Sequence, residues 1–493
     1  MIHNEKVKKT KSAPAVAAPP SAQKPTGNLA PRDIRNLAQE LVDYHSQYAD
    51  LYQRREQREQ AEFYLQGQLS DLERKTVEPM VLAMKGRDPN AIRAGQQFLG
   101  EGAWDDAAIL AHREKLVSQD IGETDGVLIC DGSGFPKKGE HSVGVQRQYC
   151  GALGKIANCQ QGVFVAYAGS LGYTFVDRRL YLPEVWFSEQ YAEKRKRCGV
   201  PDELEFQTEP ELALEMVKGI AEREQLPFQW VNADEHYGMN PAFLDGVAGL
   251  GKSYFAEVPK NTLVWPAEVE ILPPGQGPMG APRKGPRVAP ETPKAQTVEQ
   301  IGAGLPAQAW KRHTIKEGSK GPITADFAFV RATSKRGRRP GHAVWVVFRR
   351  SLGPEVEIKY YLSNAPANCP RTTLVRMSGL RWPVETAIEE GKSELGMDHY
   401  ETRTWRGWHH QMTMTFLAHH FLLRLRLKFK KKAPALTLAQ ARVLIDHAMG
   451  RERLTLGQAL EIVKYRQARN YAAYCSHRKR TLKINRLRAK KPK

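Results

Sequence analysis

Residues 126–134, GVLICDGSG, form a short apolar run ended by Asp and Gly. Such a run reads as a buried strand entering a loop. Downstream, SVGVQRQYC (142–150) alternates like a half-buried strand, and GVFVAYAGS (162–170) reads as another. EPELALEMVKGIAERE (209–224) has helical period, with its acids early, where the helix dipole favours them. PFQWVNADEHYG (227–238) reads as a buried strand ending in acid, followed by a short helix and a further strand in KSYFAEVPKN (252–261). Three strands, a helix, a strand, a helix and a strand is an α/β order.

Before this block, residues 33–120 read as helical. Leu37, Leu41, Tyr44, Tyr48, Leu51 and Tyr52 recur at helix-like spacing, and further helices are expected in ERKTVEPMVLAMKG (73–86), AIRAGQQFLG (91–100) and DDAAILAHREKLV (105–117). After it, residues 264–322 are rich in Pro, Gly and Lys. A loop that long is expected to be functional or disordered. ITADFAFVRATSK (323–335) and HAVWVVFRR (342–350) then predict two strands joined by RGRRPG, and VEIKYYLSNAP (356–366) a third. From 371 the pattern is helical again, with a helix through 384–395 and a long apolar one in GWHHQMTMTFLAHHFLLRLRLKF (407–429). The expected organisation is a disordered basic tail over 1–32, a helical domain over 33–120, a core over 121–262 and 371–430, a β-rich insertion over 263–370, and a helical, basic region over 431–493.

The chain has 493 residues and a formal net charge of +20, with 74 Lys+Arg against 54 Asp+Glu. Such an excess attracts polyanions, and nucleic acid is the simplest partner, because neutralised phosphates release counterions. The stretch from Ser476 onward carries nine Lys/Arg and no acid. It reads either as a phosphate-binding arm or as a solubilising tail. Six cysteines show no C-x-x-C pair and no zinc spacing, so reduced thiols and a cytoplasmic, nucleoid-associated setting are expected. No apolar run reaches about 18 residues, so no membrane-spanning helix is expected. The N-terminus lacks an apolar segment of the secretory kind.

Cutting or joining a phosphodiester needs an activated oxygen nucleophile and a stabilised leaving oxygen, and two metal ions about 4 Å apart serve both. Mg²⁺ takes oxygen ligands from a few carboxylates. Asp131 and Asp234 each end an apolar run. Taken singly, a strand-end Asp is more often a turn former or helix cap. In RWPVETAIEEGK (381–392), Arg381, Glu385 and Lys392 fall on one helix face, with Glu389 as the rival acid. Cations on either side of an acid can grip phosphate while the acid ligates metal; an exposed i,i+4 ion pair is the plainer reading. Trp382 offers a plane for stacking on a displaced base, or is core.

At block level the chain resembles bacterial insertion-sequence transposases of the DDE superfamily. DGSGFPKKGEHSVGVQRQYCGALGKIANCQQGVFVAYAG (131–169) resembles their first catalytic block, WVNADEHYG (230–238) their second, and RWPVETAIEEGKSELGMDHYETRTWRGWHHQMT (381–413) their third. The resemblance implies a ribonuclease-H-like core with a β-rich insertion before the last acid. It implies Asp131, Asp234 and Glu385 as catalytic ligands of two Mg²⁺ or Mn²⁺ ions. It further implies Arg381 and Lys392 as phosphate holders, with Lys137, Lys138 and Arg147 beside them on DNA; His141 and Gln148 belong to the same block. The tyrosine of the related Y-x2-R-x3-E-x6-K signature is replaced here by Ser378. Glu235 is a minor rival to Asp234, and His236 follows it. The implied function is a DNA transposase acting on terminal inverted repeats and target DNA, as a dimer in the DNA complex. A domesticated DNA-binding or regulatory protein that does not cut, and a nuclease outside transposition, are the alternatives.

Overall fold

The computed structural model describes residues 28–267, 269–273, 275, 285–318, 321–337, 339–353, 355–450 and 455–489. Most of the expected N-terminal tail lies outside these residues. Its last part is folded: the Asn28 N–H donates to the Lys432 carbonyl at 2.9 Å, and Asp33, in helix α1 (Pro31–Ile34), pairs with Lys432.

Five helices follow: α2 (Leu37–Ser46), α3 (Arg55–Leu69), α4 (Val77–Met84), α5 (Pro89–Gly100) and α6 (Asp106–Ile121). Their starts are set by local chemistry. Asp88 caps α5 by accepting from the Asn90 and Ala91 N–H groups, and Asp105 caps α6 through Ala108. Helix α4 starts later than the periodicity suggests. Pro79 lacks an N–H and is tolerated only in a first turn, so the helix begins at Val77.

The central sheet begins with β1 (Val127–Pro136), β2 (Gln146–Cys150), β3 (Lys155–Ala168) and β4 (Tyr173–Tyr181). After α7 (Ala192–Cys198) and α8 (Glu209–Arg223) come β5 (Trp230–Ala233), α9 (Glu235–Gly238), α10 (Pro241–Gly249) and β6 (Ser253–Val258). Strand β1 pairs antiparallel with β3, and β3 with β4; β5 joins β1 in parallel, and β6 joins β5 in parallel. Strand β4 was not anticipated. Its charged pair Asp177 and Arg178 is buried, and the Arg178 guanidinium is held by Asp106, Asp177 and the Thr413 hydroxyl.

The insertion supplies β7 (Leu263–Trp265), β8 (Ile271–Leu272), β9 (Arg287–Val288), β10 (Gln296–Thr297), α11 (Val298–Ala303), β11 (Lys311–Gly318), β12 (Gly321–Arg336), β13 (Arg339–Arg350) and β14 (Ile358–Ser363). The expected long loop therefore contains a helix, capped by the Thr297 hydroxyl on the Gln300 N–H, and a long strand. The insertion does not form a layer of its own. Strand β14 pairs antiparallel with β6, so one sheet runs β10–β7–β12–β13–β14–β6–β5–β1–β3–β2, with β11 on β12 and β4 on β3.

Helices α12 (Arg371–Ser378), α13 (Trp382–Leu395), α14 (Trp405–Phe429), α15 (Leu438–Ala448) and α16 (Leu456–Ala489) complete the chain. Alternation along β1 divides the core. Val127 and Ile129 face a cluster with α13 and α14, while Leu128 and Cys130 face α8 and α10. Every residue of α14 from Gly407 to Leu423 is buried. One side stacks Phe416 on Phe175 of β4, ring centres 4.5 Å apart. The other side completes a core with α2–α6 and α15. No helix among the described residues is long and apolar enough to cross a membrane.

Candidate active site

Asp131 does not close its strand. Strand β1 continues to Pro136 because β3 pairs with it throughout, Asp131 opposite Phe164 and Pro136 opposite Cys159. What stops at Cys130 is the parallel pairing to β5, whose last partner is Ala233. Asp131 and Asp234 are thus the next residues on two adjacent parallel strands, at the carboxyl edge where open α/β sheets leave a crevice. Asp131 Oδ1 accepts the Gly132 N–H at 2.8 Å. Asp234 caps α9, its Oδ1 accepting from His236 N–H at 2.9 Å and Tyr237 N–H at 3.4 Å. The expected site acid is thus also a helix cap.

Helix α13 lies against the same edge. Arg381, at its N-cap, pairs with Glu385 one turn on and stands 3.9 Å from Glu257 of β6. Lys392, two turns beyond Glu385, donates to Ser133 Oγ at 2.8 Å and the Gly134 carbonyl at 3.0 Å. The shared face of Arg381, Glu385 and Lys392 is therefore turned onto β1. Glu389 and, on α9, Glu235 and His236 are exposed.

The charges interact. Burial pushes the Asp131 carboxyl up to about 7; Asp234 and Glu385 add to the shift, while the Gly132 N–H and Arg381 oppose it. Burial disfavours the Arg381 charge, but Glu385, Asp131, Glu257 and Asp234 together raise its pKa above the usual arginine value. The three acids and one guanidinium share one field. Among the described residues, no three His, Cys, Asp or Glu side chains are gathered closely enough to hold an ion in common. The donor chemistry nevertheless fits a hard divalent cation. The donors are carboxylate oxygens only, and their repulsion at Asp131 is what such an ion relieves.

The other expected residues fall into two groups. Trp382 is 61 % exposed, with the Lys316 ammonium 5.8 Å from its ring centre, so it is not core. Lys138, His141 and Arg147 are exposed. Lys137 is tethered instead, its ammonium 3.4 Å from the Tyr400 ring centre and its pKa lowered by burial to about 8. Gln148 donates to the Cys159 carbonyl. Ser378 is buried at the end of α12, its hydroxyl donating to Val375 at 2.7 Å.

Two features of the site escaped sequence reasoning. A cavity of about 510 Å³ beside Arg381 and Trp382 is lined by Lys316, Arg349 and Lys359, all from insertion strands. On the opposite face of β1, Glu209 accepts from Gln161 at 3.3 Å and crowds Gly132. Burial raises the Glu209 pKa, His236 and Gln161 oppose the shift, and Asp234 reinforces it. At the start of α8, Glu209 looks in sequence like an ordinary first-turn acid.

The family described as "DDE superfamily endonuclease" matches residues 47–322 of the chain. That span holds Asp131 and Asp234 and stops short of Glu385. The chain is also similar to a probable transposase for insertion sequence element IS701 from Microchaete diplosiphon. The two are 26% identical over 369 residues, covering 75% of this chain and 83% of that protein.

Proposed function

The chain belongs to the DDE superfamily of endonucleases, and on that premise we propose that it is a DNA transposase that cleaves element ends and transfers the strands into target DNA. The observation that carries this reading is the common field of Asp131, Asp234, Glu385 and Arg381 at one sheet edge. The strand order β4–β3–β1–β5–β6, with β1, β5 and β6 parallel, supports a ribonuclease-H-like core. The similarity to a probable transposase along most of both chains supports the transposition step.

In this reading Asp131, Asp234 and, once parted from Arg381, Glu385 are the residues that would hold two Mg²⁺ or Mn²⁺ ions. Bound there, the ions supply an activated oxygen nucleophile and stabilise the leaving oxygen. Arg381, released from Glu385, can take a phosphate oxygen in a charge-assisted hydrogen bond. Lys392 has three N–H donors and spends two on β1, leaving one for phosphate. Exposed Trp382 stacks on a displaced base. Hydrolysis at the element's end frees a 3′-hydroxyl, which attacks target DNA in line, with the protein as a dimer on the DNA. Lys137, Lys138 and Arg147 contact the backbone beside the site.

Asp131→Ala, Asp234→Ala and Glu385→Ala should each abolish Mg²⁺-dependent nicking of terminal-repeat DNA and leave its binding intact. Nicking retained in Glu385→Ala would overturn the assignment of the third acid. A second reading, a DNA-binding protein that does not cut, is favoured by the Arg381–Glu385 pair and the ungathered acids. Absence of nicking by the native chain with Mg²⁺ and Mn²⁺ would select it.

A further inference from the structure

We propose that the β2–β3 hairpin, together with α7 and the 137–142 loop, extends the contact of Lys138 and Arg147 into a wedge on double-stranded DNA. In it an apolar tip presses on base steps while cations on both flanks hold phosphates. The proposal rests on the reading of the chain as a DNA transposase. Three segments meet here. The Asn158 side chain donates to the carbonyls of Lys137 and Gly139 at 2.9 and 2.8 Å. Tyr191, just before α7, reaches Gln146 of β2 at 3.5 Å, and the Cys198 thiol reaches the His141 carbonyl at 3.6 Å. Beside its turn the hairpin packs Cys150 over Gly134, on the strand segment that Lys392 grips. The element is therefore fixed to the strand that carries Asp131.

Around that turn three apolar side chains are exposed. Tyr149 and Ile156 are cross-strand partners, and they are 65 % and 61 % exposed; Leu153, in the turn between them, is 45 % exposed. Arg147 and Lys155 flank them and are also exposed. Helix α7 adds four consecutive cations, Lys194 to Arg197, and between Gly132 and Gln161 the sole acid is Glu140. Lys138, Arg147, Lys155, Lys196 and Arg197 make no ion pair among the described residues. An apolar pair on a two-stranded ribbon, bracketed by unpaired cations, complements a duplex. The ribbon fits a groove, apolar side chains wedge at base steps, and the cations meet the phosphates.

The test uses the full chain and a random-sequence duplex, followed by anisotropy across a salt series and by 2-aminopurine fluorescence. Arg147→Gln with Lys155→Gln should lower the slope of log affinity against log salt by about 2. Tyr149→Ala with Ile156→Ala should keep the slope and lose the several-fold 2-aminopurine increase expected of the native protein. Native slope and fluorescence in both variants would overturn the proposal. So would stronger binding to single-stranded RNA than to duplex, or a DNA-free dimer that Tyr149→Ala dissolves, which would make a second copy the tip's partner. Loss of nicking chemistry with the hairpin effects intact would sink only the catalytic reading; a native chain that binds no DNA would sink both.

Discussion

The guanidinium of Arg381 closes on the carboxylate of Glu385 one helical turn away, and both lie within the field of Asp131 and Asp234. A cation in the chain thus holds the charge balance of a site rich in carboxylates. Removing it should expose the imbalance. Arg381→Ala is expected to cost about 1–3 kcal/mol without divalent ions, in the range for hydrogen bonds to charged groups. Added Mg²⁺ should restore much of the loss. Thermal melts over a Mg²⁺ series check this; an equal melting shift at every Mg²⁺ level would refute it.

Glycine 238 sets how closely α9 approaches β6. A Cβ at this position would lie 1.9 Å from the Glu257 carbonyl, a backbone atom that cannot swing aside. Gly238→Ala should therefore lift the helix that Asp234 caps, costing roughly 3 kcal/mol or more. Gly249→Ala, with nothing within 4 Å of the added carbon, is the matched control and should be near neutral. Urea denaturation of the two variants separates them.

Four histidines lie buried on α14. Burial pushes His409 down to about 3 and His410 and His420 to about 4, and lowers His419. Above about pH 6.5 these groups are neutral in both states and contribute no pH dependence. Below it the unfolded chain takes up protons that the folded chain refuses, so stability falls as pH drops toward 4. Each such histidine adds a slope of about 1 kcal/mol per pH unit. Urea midpoints at pH 7, 6 and 5 should decline, and less steeply in His409→Gln. A flat profile would contradict the neutral burial of these rings.

Arg178 joins three elements: it pairs with Asp106 at the start of α6 and Asp177 on β4, and donates to Thr413 on α14 at 3.0 Å. Arg178→Ala leaves both carboxylates without this partner in a buried setting and should cost about 3–5 kcal/mol. Arg55→Ala breaks an exposed i,i+4 pair with Glu59 and should cost under about 1 kcal/mol. Comparable losses in the two variants would argue against the burial of the Arg178 network.

The same network explains part of what sequence reading misses. Strand β4 reads as polar because Asp177 and Arg178 look like surface residues, and only their partners from α6 and α14 make them interior. The continuity of the insertion with the main sheet is equally hidden, since it rests on β14 meeting β6 across a hundred residues. Apolar runs do reveal β1, β5 and β6, because strands buried on both faces have no polar alternation to blur them. Asp131 and Asp234 are visible as acids after such runs, though where β1 ends is not: β3 pairs with it past the point where β5 leaves. Arg381, Glu385 and Lys392 are legible as one helix face, as i,i+4 and i,i+7 spacing allows. Glu209, Lys316, Arg349 and Lys359 are not, because proximity through tertiary packing leaves no mark in local spacing.

Helix α14 also sets a timetable. The apolar surfaces of α2 to α6 are completed by residues that the ribosome delivers some three hundred positions later. At about 5–20 residues per second, those surfaces wait on the order of tens of seconds for their cover. During that interval the nascent chain presents Tyr44, Tyr64 and Leu65 to solvent, a natural hold for a chaperone. A protein truncated before residue 405 never leaves that state, so nonsense products of this gene should be aggregation-prone and quickly degraded.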